Sequence, residues 1–210
     1  AYFGLNGFLN LLNRWAMNIA GFHFPVVITA VHMGATVVFL SPLVLFSPHY
    51  RQKHTELLAS PSVWHGVVVV GAFNSLQVML NNWSLMYIEL SMNQVLRAFT
   101  PVIVALVAVC IEFKVPSRRE ALSLLGVSVG LAVAVFEETR KHSIAGVLLT
   151  ALSVALQAME LSVASKLLQS NTLDPMQMTL YMGPVAFATL LPVALALGEL
   201  VSAVHYVYAR

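Results

Sequence analysis

Apolar residues run through this chain in long blocks, near residues 2–19, 25–46, 62–83, 91–112, 119–136, 143–168 and 175–198. Each block approaches the roughly 20 residues that an α-helix needs to cross a hydrocarbon core. They are too long and too continuous for the strands of a membrane barrel, which are about 10 residues and alternate in character. Inside lipid the backbone must satisfy itself, and helices do so within one segment. The pattern therefore predicts an all-α polytopic membrane protein with about seven transmembrane helices in one domain. Pro25, Pro61, Pro116 and Pro175 stand at or near the predicted helix starts, where a missing N–H is harmless. The longest connection, residues 47–61, is too short for a soluble domain.

The polar residues inside these blocks are not scattered. The first carries Asn6, Asn10 and Asn13, the second Thr29, His32 and Thr36, the third Asn74, Gln77 and Asn81. The fourth carries Asn93, Arg97 and Thr100, the sixth Ser153, Gln157 and Glu160, the seventh Gln177 and Tyr181. Spacings of three and four put each set on one helix face. Polar faces in a bilayer turn towards partner helices or a watery cavity. Interhelical hydrogen bonds alone would explain single Asn or Thr residues; six stripes together with a charge favour a cavity. Arg97 is the most costly member, since a charge at a helix centre costs about 2.5–3.5 kcal/mol on insertion scales. An anionic ligand would offset that cost, and so would a carboxylate on a neighbouring helix, for which Glu160 is the best placed.

Composition narrows the class. Of 210 residues 59% are hydrophobic and 10% charged, against about 25% charged in soluble domains, and the mean hydropathy is +0.81. The net charge of +2 forms no basic patch, which excludes nucleic acid as a partner. The single cysteine, Cys110, excludes an internal disulfide and a multi-cysteine metal site; it also disfavours a seven-helix receptor with an extracellular disulfide. No nucleophile–base pair or metal cluster stands out, so neither an enzyme nor a cofactor is expected. Lys and Arg concentrate in the second loop (Arg51, Lys53) and the fourth (Lys114, Arg118, Arg119), with Arg140 and Lys141 in the fifth. The positive-inside rule then puts loops two and four, and the N-terminus, in the cytosol.

Pro25, Thr29 and Pro42 recur as Pro175, Thr179 and Pro192, each offset by 150 residues. Five helices separate the copies, and an odd number inverts the second copy across the membrane, as in secondary transporters. On that logic residues 1–138 form a first five-helix half and 139–210 begin a second. The chain starts at Ala1 and ends in VHYVYAR, apolar at both ends, and reads as truncated at its C-terminus.

Several segments carry a resemblance. LNLLNRWAM (9–17) and GFHFPVVITAVH (21–32), then NNWSLMYIELSMNQVLRAFTPV (81–102), follow one another at a specific spacing. VPSRREALSLLGVSVGLAVAVFEE (115–138), SKLLQ (165–169) and LDPMQMTLYMGPVAFATLLP (173–192) complete the series. Together they resemble the triose-phosphate translocator and nucleotide-sugar transporter family of the drug/metabolite transporter superfamily. The resemblance implies ten helices in two inverted halves of five. It implies a secondary antiporter exchanging nucleotide sugars or sugar phosphates for nucleoside monophosphate or inorganic phosphate across an organelle membrane. Golgi or ER fits nucleotide-sugar carriers, and the plastid envelope fits triose-phosphate carriers.

Arg97 falls where the family commonly has a basic residue beside its substrate. A guanidinium presents a planar fork of donors suited to phosphate. The expected binding residues are Arg97, Asn93, Gln94, Thr100, Asn74, Gln77, Asn10, Tyr181 and Glu160. Glu160 departs from the family, many members of which are basic there. An acid could pair with Arg97, couple to protons or favour a less anionic cargo, so a non-phosphorylated substrate stays open. A transport-inactive member acting as a membrane partner or regulator is the other alternative. Of the remaining polar residues, His32 suits a hydrogen-bonded structural role or the cavity wall, His65 the interface, and Arg14 the end of the first helix. Asn82-Trp83-Ser84 forms a glycosylation sequon, but at a helix end before a short loop, where no glycan is expected. Gly126 and Gly130 suit close helix packing within the bundle, or a homodimer.

Overall fold

A computed structural model describes residues 2–48, 50, 60–113, 115–139, 143–169 and 173–208. The elements are α1 (Tyr2–Arg14), a π-helical segment (Trp15–Ile19), α2 (Pro25–Phe46) and α3 (Pro61–Ser84). They continue as α4 (Leu90–Arg97), α5 (Thr100–Glu112), α6 (Arg118–Thr139), α7 (Ile144–Gln169), α8 (Pro175–Ala196) and α9 (Glu199–Tyr208). The side chain of Asn6 lies outside the described set, as do Arg51, Lys53, Lys114, Arg140 and Lys141.

The start signals act as the sequence predicts. Proline is the first residue of α2, α3 and α8. Ser117 and Glu120 form a reciprocal cap at α6: the Ser117 N–H donates to Glu120 Oε2 at 2.7 Å, and the Glu120 N–H to Ser117 Oγ at 3.4 Å. The backbone and then the hydroxyl of Ser117 hold the Glu120 carboxyl below its ordinary range. Asp174 and Gln177 make the same box at α8, which turns Gln177 from an expected cavity residue into a cap.

Two expectations need correction. The block at 91–112 is not one helix. It breaks at Ala98–Phe99, with Pro101 in the first turn of α5. Pro101 can donate no hydrogen bond back into α4; the freed carbonyl of Arg97 instead takes the Thr100 hydroxyl at 2.5 Å. The count of spans also falls. Among the described residues, five segments are long and apolar enough to cross a membrane: Pro25–Pro42, Pro61–Ser84, Leu90–Cys110, Ile144–Gln169 and Pro175–Ala196. The uncharged part of α6, residues 121–136, reaches about 24 Å against a core of about 30 Å.

The antiparallel pair α3 and α7 forms the centre, with α2 and α8 packed on one side and α4 and α5 on the other. Small residues set this closeness. A Cβ on Gly146 would stand 2.5 Å from Ile88 Cγ2 and 2.8 Å from Tyr87 Cβ, so α7 enters against the 85–89 turn only because the residue is glycine. By contrast, Gly126 and Gly130 on α6 have nothing within 4 Å of where a Cβ would stand. The expected close packing of that face within the bundle is not seen.

Helices α2 and α8 share more than spacing. Both have 22 residues, and Thr29 and Thr179 donate to the carbonyls of Pro25 and Pro175 at 2.8 and 2.9 Å. They run antiparallel, with Gly183 against Val37 in one half and Val26 in a cluster with Leu190 and Ala194 at the end. Beyond α8 the chain turns at Gly198, whose φ of 67° is the left-handed conformation that glycine adopts at least cost. Glu199 then reaches back to the start of α2, where its Oε2 accepts from the N–H of Val26 at 3.0 Å and of Val27 at 3.4 Å. Tyr206 donates to the Ala20 carbonyl and packs edge-on against Phe22 and Phe24.

Candidate functional site

The polar stripes divide into two groups. The first is a closed network at the C-terminal end of α3. Asn93 is fully buried, and its amide nitrogen lies 3.1 Å from Asn81 Oδ1, 2.9 Å from Ser84 Oγ and 3.4 Å from Thr150 Oγ1. Both hydroxyls donate to carbonyls of their own helices, Ser84 to Asn81 and Thr150 to Gly146, so each is left to accept. Next to it, Asn82 donates to Thr29 Oγ1 at 2.9 Å and accepts from Asn13 at 3.2 Å. Asn82 is 1% exposed, which leaves no room for a glycan on the sequon. This network ties the last turn of α1, α2, α3, α4 and α7 into one unit.

The second group is open. Asn74 on α3 donates to Glu160 Oε1 on α7 at 3.0 Å. One turn away on α7, Gln157 Oε1 accepts from Arg97 Nη2 at 3.0 Å. Gly66 faces Leu167 and Asn74 faces Glu160, an antiparallel register that puts Gln77 level with Gln157. Gln77 is buried and its Oε1 has no hydrogen-bond partner. Arg97 ends α4 at the helix break, where the negative end of that helix favours a cation.

A cavity of about 350 Å³ opens beside this row, between α2, α3, α7 and α8. Met33, Thr36, Asn74, Glu160, Met178 and Thr179 are among the residues that line it. A larger groove of about 710 Å³ lies between α5 and α6, where Arg119, Glu120 and Ser123 stand beside Ala105, Ala108 and Leu124, and none of the nine expected binding residues lines it. The smaller cavity has the chemistry.

Of the nine expected binding residues, Asn74 and Glu160 line the cavity. Arg97 stands one turn away through Gln157, and Gln77 shares its level. Gln94 is exposed on the opposite side of α4 from the buried Asn93. Thr100 spends its hydroxyl on the helix break. Asn10 is half-buried on α1, and Tyr181 packs edge-on against Trp64 at a centroid distance of 5.3 Å. His32 lies with Asn13 on a separate apolar cavity between the π-segment and α2. His65 is exposed, as expected for an interfacial position. Sequence reasoning missed Gln157 as the partner of Arg97, although its spacing of three from Glu160 was visible. Glu199 as the cap of α2 had no local signal, because the two are 173 residues apart.

The model of the triose-phosphate transporter family matches residues 1–209, nearly the whole chain. The chain belongs to the triose-phosphate transporter family. Relatives of this family member agree. A probable sugar phosphate/phosphate translocator of Arabidopsis thaliana is 31% identical over 197 residues, 93% of this chain and 54% of its own length. UDP-uronic acid transporter 1 of the same plant is 30% identical over 187 residues, 88% of this chain and 59% of its own length. A second probable sugar phosphate/phosphate translocator is 29% identical over 187 residues, 88% and 52%. The chain thus spans about half the length of the curated relatives it matches. Among the described residues no group of three or more His, Cys, Asp or Glu could hold a metal.

Proposed function

We propose that the protein is a secondary antiporter, exchanging nucleotide sugars or sugar phosphates for nucleoside monophosphate or inorganic phosphate across an organelle membrane, Golgi or ER first and plastid envelope second. The observation that carries this reading is the place of Arg97: at the break between α4 and α5, hydrogen-bonded to Gln157 on α7 of the central pair, one turn from the cavity that Asn74 and Glu160 line. The fork of the guanidinium takes the phosphate, with Gln157 orienting it and Gln77 at its level.

The matched first turns of α2 and α8, and their antiparallel packing, support a ten-helix carrier of two inverted halves, the first ending near residue 138. Rocking of one half against the other around the Arg97 row would then expose the site alternately.

Counter-exchange in proteoliposomes tests this, with the full-length gene product. Vesicles loaded with nucleoside monophosphates or with inorganic phosphate are offered labelled nucleotide sugars and triose phosphates. Uptake that depends on the internal anion is expected. Hydrogen bonds to charged groups are worth about 1.5–3 kcal/mol, so Arg97→Ala should slow exchange by about 10- to 150-fold. Exchange at the wild-type rate in that variant rejects Arg97 as the anchor, and no counter-exchange with any loading rejects the antiporter.

A further inference from the structure

Glu160 puts an acid on the wall of a cavity whose proposed cargo is an anion, and the phosphate reading leaves that unexplained. Its Oε1 is held by the Asn74 amide at 3.0 Å, which fixes the carboxylate plane across the α3–α7 seam. Met33, Met178 and Met182 line the wall beside it, with Thr36 and Thr179. Two acceptor oxygens in a fixed plane match two neighbouring hydroxyl donors on one ring. The flexible thioethers adapt to the apolar face of such a ring. Glu160 lies three residues beyond Gln157, the partner of Arg97, a rise of about 4.5 Å along the helix. A phosphate on the guanidinium would therefore set the far end of a small sugar against Glu160.

We infer that Glu160, held by Asn74, is the specificity-determining residue of the cavity: it selects cargo with one anionic end and a neutral, hydroxyl-bearing far end, and rejects cargo with a second negative charge there. This rests on the antiporter reading above and deepens it. It separates this chain from carriers of acidic sugars, in which the far end bears a carboxylate. Two like charges within about 5 Å repel strongly in a protein interior, so discrimination of at least about tenfold is expected.

The test compares glucose 1-phosphate with glucuronic acid 1-phosphate as competitors of exchange, near neutral pH, in the full-length protein and its Glu160→Gln variant. The glutamine keeps the size and the acceptor for Asn74 but removes the charge. The wild-type protein should prefer glucose 1-phosphate by at least about tenfold, and the ratio should collapse towards one in the variant. Equal competition in the wild-type protein overturns the inference even if the variant does not fold. An unchanged ratio in a folded variant overturns it too. Exchange with other cargo but an unaltered ratio fails this inference alone, whereas no exchange of any phosphate ester fails the antiporter reading with it.

Discussion

Replacing Asn93 by alanine separates a structural role from a binding one. The side chain is fully buried and donates to Asn81, Ser84 and Thr150. Interhelical hydrogen bonds in a membrane average about 0.6 kcal/mol, so three amount to about 2 kcal/mol. The Ser84 and Thr150 hydroxyls keep their own carbonyl partners, and only Asn81 Oδ1 loses its donor. That orphaned acceptor adds about 1 kcal/mol or more. Asn93 Oδ1 is itself buried without a partner, and its removal offsets part of that loss. The net expectation is a destabilisation of about 2 kcal/mol, or a fall in Tm of about 4–8 °C for a chain of this size. Tryptophan fluorescence in detergent reads the unfolding, since Trp64 stacks on Tyr181. Gln94→Ala, one residue on and exposed, should leave Tm within about 1 °C. An unshifted Tm for Asn93→Ala refutes the network reading, and lost exchange at an unshifted Tm would return Asn93 to the substrate site.

Three further outcomes are expected. Glu199→Ala should cost about 0.5–2 kcal/mol, the range for a lost helix cap, and raise hydrogen exchange at the Val26 and Val27 amides; unaltered exchange there would mean the cap is not formed. Gly146→Val should lower Tm by several degrees through the contacts with Ile88 and Tyr87, because overpacking costs about 1–3 kcal/mol; a variant as stable as wild type would show that the turn at 85–89 yields. Arg97→Lys should exchange faster than Arg97→Ala but slower than wild type, since the charge stays and the fork is lost; equality with wild type would reduce Arg97 to a point charge.

Much of this was legible in the residues. Long apolar blocks make a membrane helix without help from the rest of the chain, because the bilayer forces each backbone to satisfy itself. Proline at the first position of α2, α3 and α8 is a local device and appears where the sequence puts it. The resemblance carried by residues 9–17, 81–102 and 173–192 likewise needs only one dimension.

Tertiary structure decided which polar residues share a space. Asn93 and Gln94 are neighbours in sequence, yet one is sealed in a network and the other exposed, because α4 presents one face to α7. Asn74 meets Glu160 and Gln157 meets Arg97 only because the antiparallel seam and the packing of α4 bring residues 60 to 86 positions apart together. The break after Arg97 needed Pro101 and a hydroxyl placed to cap it. The cap on α2 comes from Glu199, at the far end of the chain. Spacing along a helix fixes which side chains share a face. What that face meets depends on the register and rotation of helices far apart in sequence, and only packing sets those.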